Sequence, residues 1–169
     1  SSNFTLTITP ALLTASVADM SRVYDGTKVA SLAADQVVLA GFVDGESATS
    51  KALTGSYNSK DVATASIVTF DLSESDLNVG IGTLLSNYTL PTTVTTDGVI
   101  TRADLSAVLG PVTKVYDGSA SVVIDPSAVT LSGFVNDEGA TVTGVTAKKK
   151  KKNVLQANTV TASVTKATG

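Results

Sequence analysis

The sequence of 169 residues contains no cysteine, no histidine and no tryptophan. Without histidine and cysteine, the chain lacks the commonest general base, the thiolate nucleophile and the usual ligands of zinc and iron–sulfur sites. Because no disulfide can form, its stability must come from packing and hydrogen bonds. The absence of cysteine does not choose between a secreted and a cytosolic protein.

Large aromatic side chains and long apolar runs are also scarce. Aromatic residues make up 5% of the chain, while threonine, serine and valine are abundant, which favours strands over helices. No apolar run approaches the roughly 18 residues that mark a membrane-spanning helix, and no signal peptide is recognisable. The composition therefore predicts a soluble, mature, all-β protein without membrane insertion.

Positive charge is concentrated in one place. The net charge is −3, and five of the 12 basic residues form the run Lys148 to Lys152, so the rest of the chain carries −8, which is −3 minus 5. Such an acidic surface is poorly suited to nucleic acid. The run itself has three interpretations: a site for an anionic polysaccharide, lipopolysaccharide or nucleic acid, a solvated charged edge that deters aggregation, or an artefact of the sequence. The last two are favoured, because a charge run is usually a solvated face.

An internal repeat organises the chain. The segment Arg22-Val-Tyr-Asp-Gly26 returns as Lys114-Val-Tyr-Asp-Gly118, an offset of 92 residues. At this offset, residues 8–77 and 100–169 share 23 identities in 70 ungapped pairs. A repeat of this length indicates two domains of about 90 residues each. The predicted boundaries are 1–7 for the closing strand of a preceding repeat, 8–99 for the first repeat and 100–169 for a second repeat that is incomplete at its C-terminal end.

Alternation of apolar and polar residues predicts the strands of the first repeat, at 13–17, 23–24, 37–39, 48–57, 66–72 and 87–90. Residues 73–86 are expected to form a loop, and Pro91 to Thr101 a junction with a turn at Asp97-Gly98. One helical turn is conceivable over 30–35. Strands that recur every 8 to 12 residues are typical of a sandwich. We therefore expect two all-β modules in tandem, with Ig-like sandwiches preferred and a β-grasp-like arrangement as the alternative.

Aromatic residues recur at corresponding positions and are expected to anchor the two cores. A platform for sugars is the less favoured interpretation, because lone aromatics in strands usually pack inward. The motif residues expected to be structural are Tyr24, Asp25, Gly26, Phe42, Tyr88, Tyr116, Asp117, Gly118 and Phe134.

The first residues of the chain repeat a later segment. Ser2-Asn-Phe-Thr-Leu6 matches Ser86-Asn-Tyr-Thr-Leu90, whereas the second repeat stops before its own copy of this segment. We therefore expect a fragment of a longer array. The strand at 2–6 is expected either to pair with the first repeat or to fill the gap in the second repeat of a neighbouring copy.

Acidic residues cluster at 44–46, 71–78 and 136–138, but none follows the alternating pattern of a calcium loop. Turns and caps are the favoured interpretation of these clusters. Asp25 and Asp117 lie in separate repeats, so they cannot form a catalytic carboxylate pair. We expect no enzymatic activity, no catalytic, cofactor or metal site, and no cofactor.

The two Tyr-Asp-Gly motifs, the recurring aromatic residues and the Ser-Asn-aromatic-Thr-Leu segments carry a family resemblance. In this order and spacing, they resemble the YDG-type repeat modules of bacterial secreted and surface adhesins of the filamentous-haemagglutinin and two-partner-secretion kind. Two departures are an apparent insertion at Ile81 to Leu85 and the lysine run. The resemblance implies a non-catalytic stalk or spacer at the bacterial cell surface, linked to cell adhesion and biofilm. Its partners would be neighbouring repeats of the same chain, with a surface glycan or host protein bound through other domains. The alternatives are a module that itself binds carbohydrate or a host protein, and a noncatalytic accessory domain of a secreted glycan-degrading enzyme.

Overall fold

The computed structural model describes residues 2–149 and 160–168, and its regular elements are strands and 3-10 turns. The chain divides into two compact units, Ser1–Arg102 (unit 1) and Ala103–Gly169 (unit 2). The prediction of an all-β, β-sandwich-like fold is confirmed. No helix longer than three residues occurs in the described ranges, and the helical turn considered at 30–35 is wrong, because Val29–Leu32 is a strand.

The strands of unit 1 are β1 (Ala11–Leu12), β2 (Thr14–Ser16), β3 (Met20–Val23), β4 (Val29–Leu32), β5 (Val38–Ala40), β6 (Ala48–Ser50), β7 (Leu53–Tyr57), β8 (Ile67–Asp71), β9 (Leu77–Val79), β10 (Tyr88–Thr89) and β11 (Thr93–Thr101). Those of unit 2 are β12 (Ser106–Leu109), β13 (Ser121–Val122), β14 (Val129–Ser132), β15 (Thr141–Lys149) and β16 (Val160–Thr168). The 3-10 turns cover Glu74–Asp76, Leu85–Asn87 and Pro126–Ala128.

Unit 1 is built on a five-stranded sheet of order β3-β11-β8-β7-β4. Its core consists of side chains that alternate along these strands: Val68 and Phe70 of β8 are fully buried, whereas Ile67, the first residue of β8, is exposed. Three short pairs accompany the sheet, namely parallel β1–β10 and antiparallel β2–β5 and β6–β9. Leu77 of β9 belongs to the same core cluster as Tyr57 of β7, so the short pairs help to cover the sheet.

The strand β11 corrects the prediction of a junction with a turn. It lies between β3, to which it is parallel, and β8, to which it is antiparallel. Gly98 is opposite Met20 in this sheet, and a Cβ there would lie 2.3 Å from Val68 Cγ2 and 2.8 Å from Tyr57 Cε1. The glycine therefore permits close packing of a central strand, although an Asp-Gly pair usually indicates a turn.

Two further segments of unit 1 differ from expectation. The loop predicted at 73–86 contains the short strand β9, which pairs with β6 and buries Leu77. Residues 2–10 contain no strand, and Phe4 is 93% exposed. The position in unit 1 that the 2–6 sequence would suit is already taken by its own counterpart, Tyr88–Thr89, which pairs with β1.

Unit 2 repeats the strand pairing of unit 1 with the same offset of 92 residues. Strands β12 and β14 pair Ser106 with Ser132, just as β2 and β5 pair Thr14 with Ala40. The three-stranded sheet β13-β15-β16 likewise keeps the register of β4-β7-β8. The repeat seen in the sequence is therefore a repeat of backbone hydrogen bonding.

Two residues of the lysine run belong to a central strand. Lys148 of β15 pairs with Ser121 on one side and Thr161 on the other. The interpretation as a charged edge is therefore wrong for Lys148 and Lys149, because both backbone sides are already bonded. Residues 150–152 lie outside the described residues.

Candidate functional site

The first Tyr-Asp-Gly motif begins at the end of β3 and forms a turn stabilised by bonds among its own residues. The Asp25 carboxylate pairs with the Arg22 guanidinium, and its Oδ1 accepts bonds from the Thr27 amide and hydroxyl, both at 2.9 Å. Arg22 also donates to the Thr27 carbonyl oxygen. Gly26 between them has a φ of +77°, a conformation that glycine adopts without steric cost. We call residues 22–27 and their counterparts 114–119 the YDG turns.

The second YDG turn keeps the ion pair and the amide bond of the first, with lysine in place of arginine, and Lys114 also donates to the Ser121 carbonyl oxygen just beyond the turn. Lys114 Nζ lies 2.7 Å from Asp117 Oδ1 and donates to the Ser119 carbonyl oxygen at 3.1 Å. Asp117 Oδ1 accepts from the Ser119 amide at 2.9 Å, and Gly118 has a φ of +74°. Cation and carboxylate therefore serve the turn itself in both repeats.

These contacts favour ionised carboxylates. The hydrogen bond from Arg22 is the main reason that the pKa of Asp25 falls from 3.8 to about 2, against a smaller opposing effect of burial. The bond from Lys114 likewise lowers the pKa of Asp117. Both aspartate side chains are more than half exposed, so each ion pair adds little to stability. A group held in its ionised form is also a poor proton donor near neutral pH.

The two motif tyrosines lie in different environments. Tyr24 packs half-buried against the core of unit 1, and its amide donates to the Thr101 carbonyl oxygen of β11 at 2.8 Å. Tyr116 is 58% exposed, so the expectation that both rings anchor a core is wrong for unit 2. In unit 1 the Tyr24 amide bonds to β11, whereas among the described residues of unit 2 no strand pairs with the segment that contains Tyr116.

Arg22 connects the first YDG turn to the sheet. Its guanidinium carbon lies 4.9 Å from the centre of the Tyr57 ring, a cation–π distance, and Tyr57 is 1% exposed. The counterpart of Tyr57 is Lys149, which has no ring. Sequence reasoning missed this contact because Arg22 and Tyr57 are joined only by the strand order of the fold.

Phe42 and Tyr88 form a second aromatic site in unit 1. Their ring centres are 5.0 Å apart at an interplanar angle of 63°, an edge-to-face geometry that favours both rings. The Tyr88 hydroxyl donates to the Glu46 carboxylate and accepts from the Val43 amide at 3.1 Å. The bond to Glu46 raises the pKa of Tyr88. Phe134, the counterpart of Phe42, is half-buried in unit 2.

The acidic clusters form local hydrogen bonds and do not converge on a common site in the described residues. Asp76 caps its 3-10 turn by accepting from the Ser73 amide at 2.9 Å, and Glu46 contacts Tyr88. No group of three or more carboxylates within the described residues is placed to hold a metal ion. An open groove of about 340 Å³ lies beside Met20 and Leu32 in unit 1 and is lined mainly by small side chains.

Comparison with known proteins identifies the repeat. The model of the YDG domain family matches the chain twice, over residues 9–96 and 101–169. The chain belongs to the YDG domain family. The first match ends inside β11, and the second begins just before unit 2 of the YDG chain. No curated protein and no solved structure matches it. In the described ranges, no helix is long and apolar enough to cross a membrane.

Proposed function

We propose that this YDG chain is a structural spacer of a bacterial extracellular adhesin, and that it holds a distal binding domain away from the cell. The observation that carries the proposal is the self-contained bonding of both YDG turns. Their charged groups, which could contact a ligand, bond within the turn at the same offset of 92 residues. A motif that stabilises its own turn in each copy is typical of tandem structural repeats, which extend a protein.

A surface-display experiment tests the spacer role. One, two or four copies of residues 9–169 are placed between a bacterial outer-surface anchor and an epitope tag, on cells with a long surface polysaccharide. A spacer predicts that antibody access to the tag rises with copy number, because each copy lifts the tag further through the polysaccharide. Cells without the polysaccharide are the control and should give equal access at every copy number. Access that does not change with copy number on the coated cells contradicts the proposal.

A binding module is the second candidate, and the exposed ring of Tyr116 favours it. Exposed aromatic side chains are enriched where proteins contact ligands. The full chain and the variant Tyr116→Ser are compared on a glycan array and on immobilised host matrix proteins, with Val123→Ser as a matched control, since Val123 is 99% exposed. The spacer proposal predicts no binding by any of the three. Binding that only Tyr116→Ser loses would establish the binding module instead.

A further inference from the structure

Aspartate is followed by glycine at four places in the chain, Asp25-Gly26, Asp44-Gly45, Asp97-Gly98 and Asp117-Gly118. In this pair an aspartate closes a succinimide ring most readily, because glycine has no Cβ to obstruct the approach of its backbone nitrogen. The nitrogen bonds to the aspartate Cγ, and a carboxyl oxygen leaves as water. Water then opens the ring at either carbonyl carbon, which gives back aspartate or gives isoaspartate, whose main chain runs through the side chain. Neither step needs an oxidant, a reductant or a further reagent.

In both YDG turns the aspartate carboxylate is held away from this reaction. Arg22 and Thr27 hold that of Asp25, and the cation and the amide at the same positions of the second turn hold that of Asp117. The lowered pKa of both groups keeps them ionised near neutral pH. An ionised carboxylate resists attack by nitrogen, because its carbon is electron-rich and neither oxygen can leave as water. The bonds that form the turn therefore also protect these two pairs.

The pair in β11 is protected by its backbone. Gly98 lies within the five-stranded sheet, where its amide donates to the Ser66 carbonyl oxygen at 3.0 Å. The nitrogen that would attack is therefore occupied, and its peptide plane is fixed by the pairing of β11 with β3 and β8. Ring closure here would require β11 to leave the sheet, which costs the local stability of the core.

The turn at 43–46 leaves its Asp-Gly pair free to react. The Glu46 amide donates to the Val43 carbonyl oxygen at 3.0 Å, and the peptide group between Asp44 and Gly45 lies outside that closing bond. Gly45 has a φ of +83°, and nothing lies within 4 Å of the position that a Cβ would take. Both residues are exposed, and among the described residues no hydrogen bond or ion pair engages the Asp44 carboxylate or the Gly45 amide. Of the four pairs, this one combines a free carboxyl carbon with a free nitrogen.

We propose that Asp44-Gly45 is a site of spontaneous backbone modification, where a succinimide forms and opens to isoaspartate while the other three pairs stay intact in the folded chain. The turn carries a contact that this change disturbs. The Val43 amide donates to the Tyr88 hydroxyl at 3.1 Å, and the Glu46 carboxylate accepts from the same hydroxyl. Isoaspartate adds one methylene to the main chain between these two partners, so they no longer fit one hydroxyl together. The modification therefore loosens the packing of Tyr88 on Phe42. This inference stands apart from the spacer function.

The test follows a heavy isotope of oxygen, because each ring opening leaves one oxygen atom from water in the residue. The whole 169-residue chain is incubated near neutral pH in heavy-oxygen water and then digested with trypsin in ordinary water, which places the four pairs on four separate peptides. The peptide that contains Asp44 is expected to gain the label with time and to separate into an aspartate and an isoaspartate form. The other three should gain the label only when the chain is unfolded in urea. A folded chain that labels none of the four pairs, or all four at the same rate, overturns the proposal.

Two variants check that the label enters by ring closure. Asp44→Glu would have to close a larger ring, which forms more slowly, and should lose the label at this position. Asp137→Glu, in the counterpart turn of unit 2, is the matched control and should label Asp44 as the wild type does. Label that enters Asp44→Glu at the wild-type rate contradicts the assignment.

Amide exchange tests the effect on the fold. The purified isoaspartate form should exchange the Val43 amide faster than the unmodified chain does, because that amide loses its bond to the Tyr88 hydroxyl. The Tyr57 amide of β7 is the reference and should exchange equally in both forms, since its bond to the Lys28 carbonyl oxygen lies outside the turn. Equal exchange of the Val43 amide in both forms would show that the Tyr88 contact survives, which overturns the proposed consequence.

Discussion

At the scale of single residues, the side chains of the motif stabilise the turn that the motif itself forms. Aspartate accepts the amide two residues on, glycine supplies the positive φ, and the cation three residues before the aspartate neutralises it. Arginine and lysine are both adequate, because Arg22 reaches the carboxylate and one carbonyl oxygen, and Lys114 reaches the carboxylate and two. The two turns differ in the residue that their cation lies against. Arg22 packs on the Tyr57 ring, whereas the residue of unit 2 that corresponds to Tyr57 is Lys149.

Asp25 makes the stability of unit 1 depend on acid. Its pKa is lowered to about 2 from 3.8, so its contribution is complete above pH 3.8 and is lost as the pH falls through 2. Asp25→Asn should lower the stability at pH 5 by less than about 1 kcal/mol, because the pair is exposed. The difference from the wild type should shrink toward zero near pH 2. Thermal melts from pH 2 to 5 measure this, and a difference that stays constant with pH would contradict the assignment.

Two tyrosine hydroxyls should respond in opposite ways to removal. Within the described residues, the buried Tyr57 hydroxyl has no hydrogen-bond partner, so Tyr57→Phe removes an unsatisfied group and should leave stability unchanged or raise it by up to about 1 kcal/mol. Tyr88→Phe, the matched control, loses the bonds to Glu46 and Val43 and should cost about 1 kcal/mol. Urea unfolding of both variants measures the two effects. A loss in Tyr57→Phe as large as that in Tyr88→Phe would show that the Tyr57 hydroxyl is satisfied.

At the scale of elements, β11 connects most of unit 1. It bonds to β3 and β8, and its Ile100 and Val94 are in the core. It also carries the carbonyl oxygen that receives the Tyr24 amide. The first YDG turn is therefore ordered by a strand more than 70 residues further along the chain.

Gly98→Ala tests the close packing of this strand. The new methyl would meet Val68 and Tyr57 at 2.3 and 2.8 Å, and overpacking of this kind costs about 1–3 kcal/mol. Gly139→Ala is the matched control, because nothing lies within 4 Å of its added Cβ, and it should change stability by less than about 0.5 kcal/mol. Denaturant titration compares the two. Equal, small effects would show that β11 lies further from Tyr57 than these distances indicate.

The sequence pattern predicted the repeat and most strands. It did not predict the elements whose local residue preferences favour a different conformation from the one they adopt. The offset of 92 residues predicted that the second repeat shares the fold of the first, and the pairs β12–β14 and β13–β15 agree with this. Asp97-Gly98 looks like a turn because the pair suits one, and only the ring of Tyr57 explains a glycine within a strand. The alanine-rich segment that contains β4 suggested a helical turn, yet its pairing with β7 decides its conformation. Sequence could not show that Tyr116 is exposed, since this depends on a strand and not on the motif.

At the scale of the whole molecule, the chain contains two YDG modules, and the structure describes more strands in unit 1 than in unit 2. Unit 1 contains β9, β10 and β11, whereas the strands described in unit 2 correspond to β2, β4, β5, β7 and β8. The YDG turn keeps its internal bonds in both units. The tyrosine ring packs on a core only in unit 1, where β11 lies beside the motif, so the turn forms by its own bonds and the burial of its ring depends on a neighbouring strand.

Native-state amide exchange tests this separation most directly. In a dilute, monomeric solution, the amides of Leu13 and Tyr24 should exchange about 100-fold more slowly, or slower still, than those of Leu105 and Tyr116, because only the first two donate to β10 and β11. The amides of Tyr57 and Lys149 are the internal reference. They donate to equivalent carbonyl oxygens, those of Lys28 and Ala120, both at 2.8 Å, and both should be protected. Equal protection of Tyr24 and Tyr116 in the monomer would contradict the claim that β11 orders the surroundings of the YDG turn.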